Sequence, residues 1–411
     1  MDDDGWIARE QILGLESRVK VPKDFVVQYP DIASPPLLFW VVEKYIDMLS
    51  GKVKYKGHES AYLTGKDESE KLLEELYPLL KRHYNWFRKS QQGNLLTHTT
   101  LHDVYPMEAY RWRGRKPGTN YASGLDDYPR AEPPHITELH VDALCWVGVM
   151  AKTLAGVAKY SKNSEDLTSL QRQYKGIKQN IDTVHWSETE DAYYDARVAE
   201  GQHVFVSHKG YISLFPFITG FLDPDHPHLN STLNLLRDPE ELWSDYGIRS
   251  LSKKDSMYKS GDDYWTSPIW VNINYLIIKE LLALAQMPGP YQQKCKEIYN
   301  ELRDNVIRTT YSSWKDTGFA WEQYNDKTGA GQRTQGFTGW TALVVKIMAF
   351  PDLTVGGEFD EDVEDKVKEL LKEMGKDGPL STGTFLVGTV LCGFVYFFRR
   401  RFAALFREMR R

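Results

Sequence analysis

Apolar residues recur at helical spacing along most of this chain, over 36–50, 68–90, 137–160, 166–183, 209–221, 266–286, 290–311 and 336–349. Neighbouring segments pair across short turns, as 266–286 and 290–311 do around Pro288, Gly289 and Pro290. Longer loops rich in Asp, Gly, Tyr and Trp separate the pairs, and no β-rich module is apparent. This rhythm predicts an all-α chain in which helical hairpins form a ring with their loops gathered at one end. No repeat of fixed period is visible, which argues against an ordinary helical solenoid.

The chain has 411 residues, enough for one large domain or two ordinary ones. Its aromatics stand out, with 12 Trp, 24 Tyr and 17 Phe, many beside Asp, Asn or Gly. Rings next to hydrogen-bonding groups suit a sugar, whose pyranose ring has apolar C–H faces and a rim of hydroxyls. A Trp-rich core is the plainer reading of the same composition. The formal net charge of −6 argues against nucleic acid as a partner, because phosphate binding needs a concentrated basic surface.

The basic residues that do cluster lie at the end, where 399–411 carry six Arg and one Glu. Just before them, Gly383 to Phe398 is an uncharged run of 16 residues. With Ser381 and Thr382 added, it reaches the length of a transmembrane helix, so 381–411 is expected to span a membrane and leave a basic cytosolic tail. Residues 353–380 read as a linker containing an amphipathic helix, 359–374, with Val363, Val367, Leu370, Leu371 and Met374 on one side. The N-terminus, MDDDGWIAREQILG, has no apolar signal region. Asn230-Ser231-Thr232 is a glycosylation sequon, usable if that part of the chain is lumenal.

Cys145, Cys295 and Cys392 lie too far apart for a metal or redox motif. No H-E-x-x-H, G-x-S-x-G or phosphate-binding glycine loop is present, and no cofactor is called for. Carboxylates are the chemistry that remains. In ITELHVDALCW a helix starting near Thr137 would put Glu138 and Asp142 on one face. Asp126 and Asp127 follow a glycine-containing turn in SGLDDYPR, and Asp262 and Asp263 precede Tyr264 and Trp265 in GDDYWTSP. Glu322 sits between Trp321 and Tyr324 in WEQY. Each of these has an ordinary reading as a turn or a solvated face. Together they supply what glycosidic hydrolysis needs: an acid for the leaving oxygen, a base for water and aromatic walls for the ring.

Read in order, GWIAREQILG, YRWRGR, SGLDDYPR, ELHVDALCW, DYGIRSLS, GDDYWTSPIWVNINYL, WEQYNDKTG and FTGWTALVV resemble the catalytic domain of the processing α-glucosidases of glycoside hydrolase family 63. The likeness runs from about residue 5 to residue 350. It implies an (α/α)6 toroid over 1–352 and an inverting enzyme that removes the terminal α-1,2-linked glucose from the N-glycan Glc3Man9GlcNAc2. It also implies a location in the endoplasmic reticulum membrane with the catalytic part lumenal. By the family's motifs Asp142 is the general acid, with a raised pKa, and Glu322 the general base. Glu138, Arg111, Trp112, Asp126, Asp127, Tyr264, Trp265 and Trp321 are the expected substrate contacts. Family members of this type usually begin with a cytosolic tail, a membrane anchor and a β-sandwich that this sequence lacks, so the first helices of the toroid are expected to be missing. Two other readings stay open: a catalytically impaired glycan-binding protein, and another α/α-toroid glycosidase of the trehalase type.

Overall fold

The computed structural model of the protein describes residues 1–9, 12, 14–21, 26, 28–53, 60–160 and 164–353. Helices dominate these residues, and strands occur among them only as two-stranded pairs. Two compact units are present. Among the described residues, one comprises those within 1–243, 249–268 and 288–291, and the other comprises 244–248, 269–287 and 292–353. The expected helix at 359–374 and membrane span at 381–411, Cys392 included, lie outside the described residues.

The first unit contains α1 (Leu38–Leu49), α2 (Lys66–Ser90), α3 (Val141–Tyr160) and α4 (Ser164–His185). α3 is apolar on nearly every side, with Lys152 and Lys159 its exposed residues, and buries Leu144, Trp146, Val147, Met150, Leu154 and Val157. A helix without a polar face must be enclosed, and α1, α2 and α4 pack around it. Among the described residues α3 is also the helix long and apolar enough to cross a membrane, yet 83% of its apolar window is buried inside the protein. It is the core helix of its unit.

α2 turns a stripe of Leu73, Tyr77, Tyr84 and Phe87 inward. It is tied to α4 by Tyr84 Oη donating to Gln173 at 2.7 Å and Tyr77 Oη donating to Asp166 at 2.8 Å. At His185 the chain leaves α4 and soon forms the hairpin β1 (Asp195–Ala199) and β2 (Gln202–Val206). Its two-residue turn, Glu200-Gly201, has φ of 52° and 76°, the left-handed pair that matches strand twist in a type I′ turn. The helix expected over 209–221 is instead two short turns, Tyr211–Leu214 and Phe215–Ile218, the second of which carries Pro216 and is followed by Gly220 at φ 75°.

The second unit is built on the predicted hairpin of α5 (Val271–Ala285) and α6 (Gln292–Thr317). Buried Asn274 on α5 accepts from Ile248 N–H at 2.8 Å and donates to Ile248 O at 3.0 Å, which fastens the 244–248 segment to the helix. Tyr299 Oη donates to Pro351 O at 2.6 Å and holds the end of the described chain against α6. The last described elements of this unit include the antiparallel hairpin β3 (Trp321–Tyr324) and β4 (Gly331–Gln335).

The packing of the first unit sets two expectations for stability. A Cβ built on Gly148 of α3 would lie 2.3 Å from Phe221 Cζ and 3.0 Å from Ile177 Cγ2. Gly148→Ala should therefore lose about 1–3 kcal/mol in urea unfolding, although alanine is the better helix former. Burial holds the His185 imidazole down at about 4 against an ordinary 6.5, despite its bond to Tyr194 O and nearby Asp195. The unfolded chain takes up that proton first, so this contribution is complete above pH 6.5 and is lost as pH falls towards 4. Between those values His185→Gln should flatten the slope of stability against pH by up to about 1.4 kcal/mol per unit.

Candidate active site

The segment 138–142 departs from expectation in a way that reassigns its carboxylates. α3 begins at Val141, so Glu138 and Asp142 do not share a helix face. Leu139 instead pairs with Ala196 of β1, exchanging hydrogen bonds of 2.8 and 2.9 Å, and His140 N–H donates to Tyr110 O at 2.9 Å. With these backbone groups committed to neighbouring segments the helix starts later. Thr137 is not its cap, because Thr137 Oγ1 accepts from Val198 N–H at 3.1 Å.

Glu138 is buried in an ionic cage. Arg115 Nε and Nη2 donate to its two oxygens at 2.9 and 3.0 Å, His140 Nε2 donates at 2.9 Å, and His135 N–H donates as well. Burial pushes the carboxyl up, but His140, Arg115 and the His135 amide overcome it and hold its pKa at about 2. His140 Nδ1 accepts from Trp112 N–H at 2.9 Å, so its ring links Glu138 to the 110–115 segment. Arg111, Trp112, Arg115, Pro134, His135 and Glu138 are among the residues that line a cavity of about 200 Å³. Three expected sugar contacts, Arg111, Trp112 and Glu138, thus meet at one place. Burial and nearby Arg113 push the Arg111 guanidinium pKa down. Trp112 is almost fully buried and stacks edge-on against Phe87 at 5.8 Å.

Asp142 is sealed. Its side chain has 0% exposure, and Arg130 grips it with Nη1 at 3.1 Å from one oxygen and Nη2 at 2.7 Å from the other. Arg130 Nη1 also donates to Asp195 at 2.7 Å, and Asp195 accepts from Val141 N–H at 3.0 Å. Burial works against the Arg130 charge, but Asp142 and Asp195 outweigh it and raise its pKa. A carboxylate held this way offers no surface to a ligand.

The SGLDDYPR loop presents its two acids differently. Gly124, at φ 77°, closes a 3₁₀ turn over Tyr121–Ser123, and Asn120 N–H donates to Asp126 O at 2.6 Å. The Asp126 side chain is 21% exposed and lies 3.6 Å from the Arg9 guanidinium. Asp127 is half-buried too, but turned to backbone donors. Its two oxygens accept from the backbone N–H groups of Tyr264 and Trp265 at 3.0 and 2.6 Å. Burial pushes its pKa up, and those two amides offset part of the effect. Tyr264 is half-buried, whereas Trp265 is 4% exposed and packs edge-on against Tyr211 at 6.2 Å.

Glu322, in the second unit, is oriented by its hairpin. Trp321 pairs with Gln335 but Gln323 with Gln332, so β4 carries one extra residue opposite Glu322, and Arg333 within that bulge has φ 65°. The bulge brings Thr334 onto the carboxylate: its N–H and hydroxyl donate to Glu322 Oε2 at 3.2 and 2.7 Å. Trp340 Nε1 donates to Glu322 O at 2.7 Å. Trp321 is half-buried and lies against Gly331, where a Cβ would sit 2.1 Å from the indole ring. Tyr324 is fully buried, and burial pushes its hydroxyl pKa up to about 12, so it frames the core and not a sugar site.

Arg115, Arg130, Asp195, His140 and Thr334 are not singled out by the sequence. The arginines are visible within YRWRGR and DDYPR, but their partners are distant in the chain. The buried pair gives a direct test. Asp142→Asn should cost about 3–5 kcal/mol in urea unfolding, because it leaves part of the Arg130 charge uncompensated. A wild-type midpoint would show that this link is not structural.

Residues 1–350 match the glycosyl hydrolase family 63 C-terminal domain. The chain is 44% identical over 368 residues to a probable mannosyl-oligosaccharide glucosidase of Schizosaccharomyces pombe, covering 85% of this chain and 45% of that protein. It is 37% identical over 378 residues to the mannosyl-oligosaccharide glucosidase of Saccharomyces cerevisiae, covering 84% and 45%. The chain therefore spans about 45% of the length of these curated relatives. A solved family 63 mannosylglycerate hydrolase from Thermus thermophilus, in complex with glucose, shares the fold with a TM-score of 0.55 at 14% identity over 84% of each chain. On the match to residues 1–350 and these two eukaryotic relatives, the chain belongs to glycosyl hydrolase family 63.

Proposed function

We propose that this chain is the catalytic region of an inverting exo-α-glucosidase that removes the terminal α-1,2-linked glucose from Glc3Man9GlcNAc2. The observation that carries the reading is the setting of Glu322, a carboxylate aimed by a bulged hairpin in a chain of family 63. Thr334 holds the carboxylate through its N–H and hydroxyl, which supports Glu322 as a fixed base that takes a proton from water.

Asp126 suits the role of acid better than Asp142. Protonating a leaving oxygen requires a carboxyl that can reach the substrate, and of the two only Asp126 has exposed side-chain surface. In this mechanism Asp126 donates to the glycosidic oxygen as the C1–O bond breaks. Glu322 deprotonates the attacking water as its oxygen bonds to C1, and β-glucose leaves. Arg111, Trp112 and Glu138 supply a polar cavity suited to a neighbouring sugar of the glycan, and Tyr264 and Trp321 supply half-buried rings for apolar sugar faces. The names of the relatives support a glucosylated oligosaccharide as substrate, and the uncharged run Gly383 to Phe398 supports a membrane anchor, which we place in the endoplasmic reticulum.

The test is glucose release from Glc3Man9GlcNAc2, with the first anomer formed read by NMR. The wild type should yield β-glucose, while Asp126→Asn and Glu322→Gln should each lower kcat at least about 100-fold. Asp142→Asn should lose activity only in proportion to its lost folded fraction. A folded but inactive Asp142→Asn beside an active Asp126→Asn would return the acid role to Asp142. Undiminished Glu322→Gln, tight glycan binding without turnover, or release from trehalose alone would defeat the reading.

A further inference from the structure

Two loops of the first unit meet at Asp127. One is the turn that carries Asp126, and the other is 257–267, where Lys259, Gly261 and Asp263 all have left-handed φ, at 59°, 60° and 49°. Two of these are not glycine, so the loop keeps its shape only where contacts impose it. Some contacts are internal: Asp263 Oδ1 accepts from the Thr266 and Ser267 hydroxyls at 3.0 and 2.7 Å, and Lys259 N–H donates to Thr266 O at 3.2 Å. These define the turn but do not aim it. Aim comes from Asp127, whose two oxygens each take one of two successive backbone amides, Tyr264 and Trp265. Hydrogen bonds to an ionised carboxylate are roughly twice as strong as neutral ones, and two together fix orientation as well as distance. Beyond the clamp, Tyr264 meets Trp265 edge-on at 6.2 Å, and Trp265 meets Tyr211 in the same way.

We propose that Asp127 is a positioning residue: it does not touch the sugar, but locks the Tyr264–Trp265 segment to the loop bearing Asp126, so that the half-buried Tyr264 ring and the acid present themselves to the substrate together. The adjacency of the two aspartates is then functional, one facing the ligand and the next holding the wall beside it. This inference rests on the assignment of Asp126 as acid.

The test uses Asp127→Asn, Asp127→Ala and Tyr264→Ala in the full chain, with two readouts. The first is steady-state hydrolysis of Glc3Man9GlcNAc2. Asp127→Ala should raise KM about tenfold with a much smaller change in kcat, and Asp127→Asn, which keeps one acceptor oxygen, should fall between it and the wild type. The second readout is trypsin cleavage after Lys259 under native conditions, which should quicken in the same order. Tyr264→Ala should raise KM while leaving the cleavage rate unchanged, because the clamp uses its backbone. That variant and Asp127→Asn decide the matter if Asp127→Ala does not fold. Unchanged cleavage in both Asp127 variants would overturn the proposal, as would a fall in kcat at constant KM. If the wild type releases no glucose, the glucosidase reading fails by itself, and the cleavage rates still decide whether Asp127 holds the loop.

Discussion

Arg130 stands between Asp142 and Asp195 with its side chain 1% exposed, and the first unit's site depends on that bridge. Three charged groups removed from water are costly, and they are compensated here only because each carboxylate is also held by a backbone amide, Ala143 N–H for Asp142 and Val141 N–H for Asp195. The bridge joins three pieces of chain: the loop that begins at Gly124, the first turn of α3 and the first residue of β1. Because Arg130 ends the SGLDDYPR stretch, anchoring it also anchors Asp126 and Asp127 a few residues upstream. An ionic contact buried in the core thereby fixes a loop at the surface.

From that anchor the acids of the first unit divide by environment. Asp142 and Asp195 neutralise Arg130, Glu138 neutralises Arg115, Asp127 accepts two amides, and Asp126 keeps a side chain one-fifth exposed. Chemically similar groups are left buried or exposed by what surrounds each of them. Glu138 shows how far this goes, since burial alone would raise its pKa and its partners instead hold it at about 2.

In the second unit a small backbone irregularity has a comparable effect. One extra residue in β4 turns Thr334 towards Glu322, and the same hairpin lays Trp321 against Gly331. Regular pairing would place side chains by strict alternation, and the bulge relaxes that rule where the carboxylate sits. The WEQY motif locates Glu322 and Trp321 but also enlists Tyr324, which lies in the core. Trp321 and Tyr324 are three apart and fall on opposite faces of the strand, but WEQY alone does not say which face meets the core.

The sequence by itself determined most of the long helices and the inventory of acids. α2, α5 and α6 lie close to where their apolar periodicity put them, because a helix that buries one stripe writes that stripe into the chain. The order of motifs likewise named the family. What only the tertiary structure decided was which carboxylate meets solvent. Asp126, Asp127, Glu138 and Asp142 look alike within one short stretch, but their partners include Arg9, Tyr264, Arg115 and Arg130, and the Tyr264 contact spans 137 positions. The start of α3 at Val141 was hidden for the same reason, since Leu139 is held by Ala196 of another element. Periodicity is a local property of the chain, whereas burial and charge compensation are set by whatever the fold brings alongside.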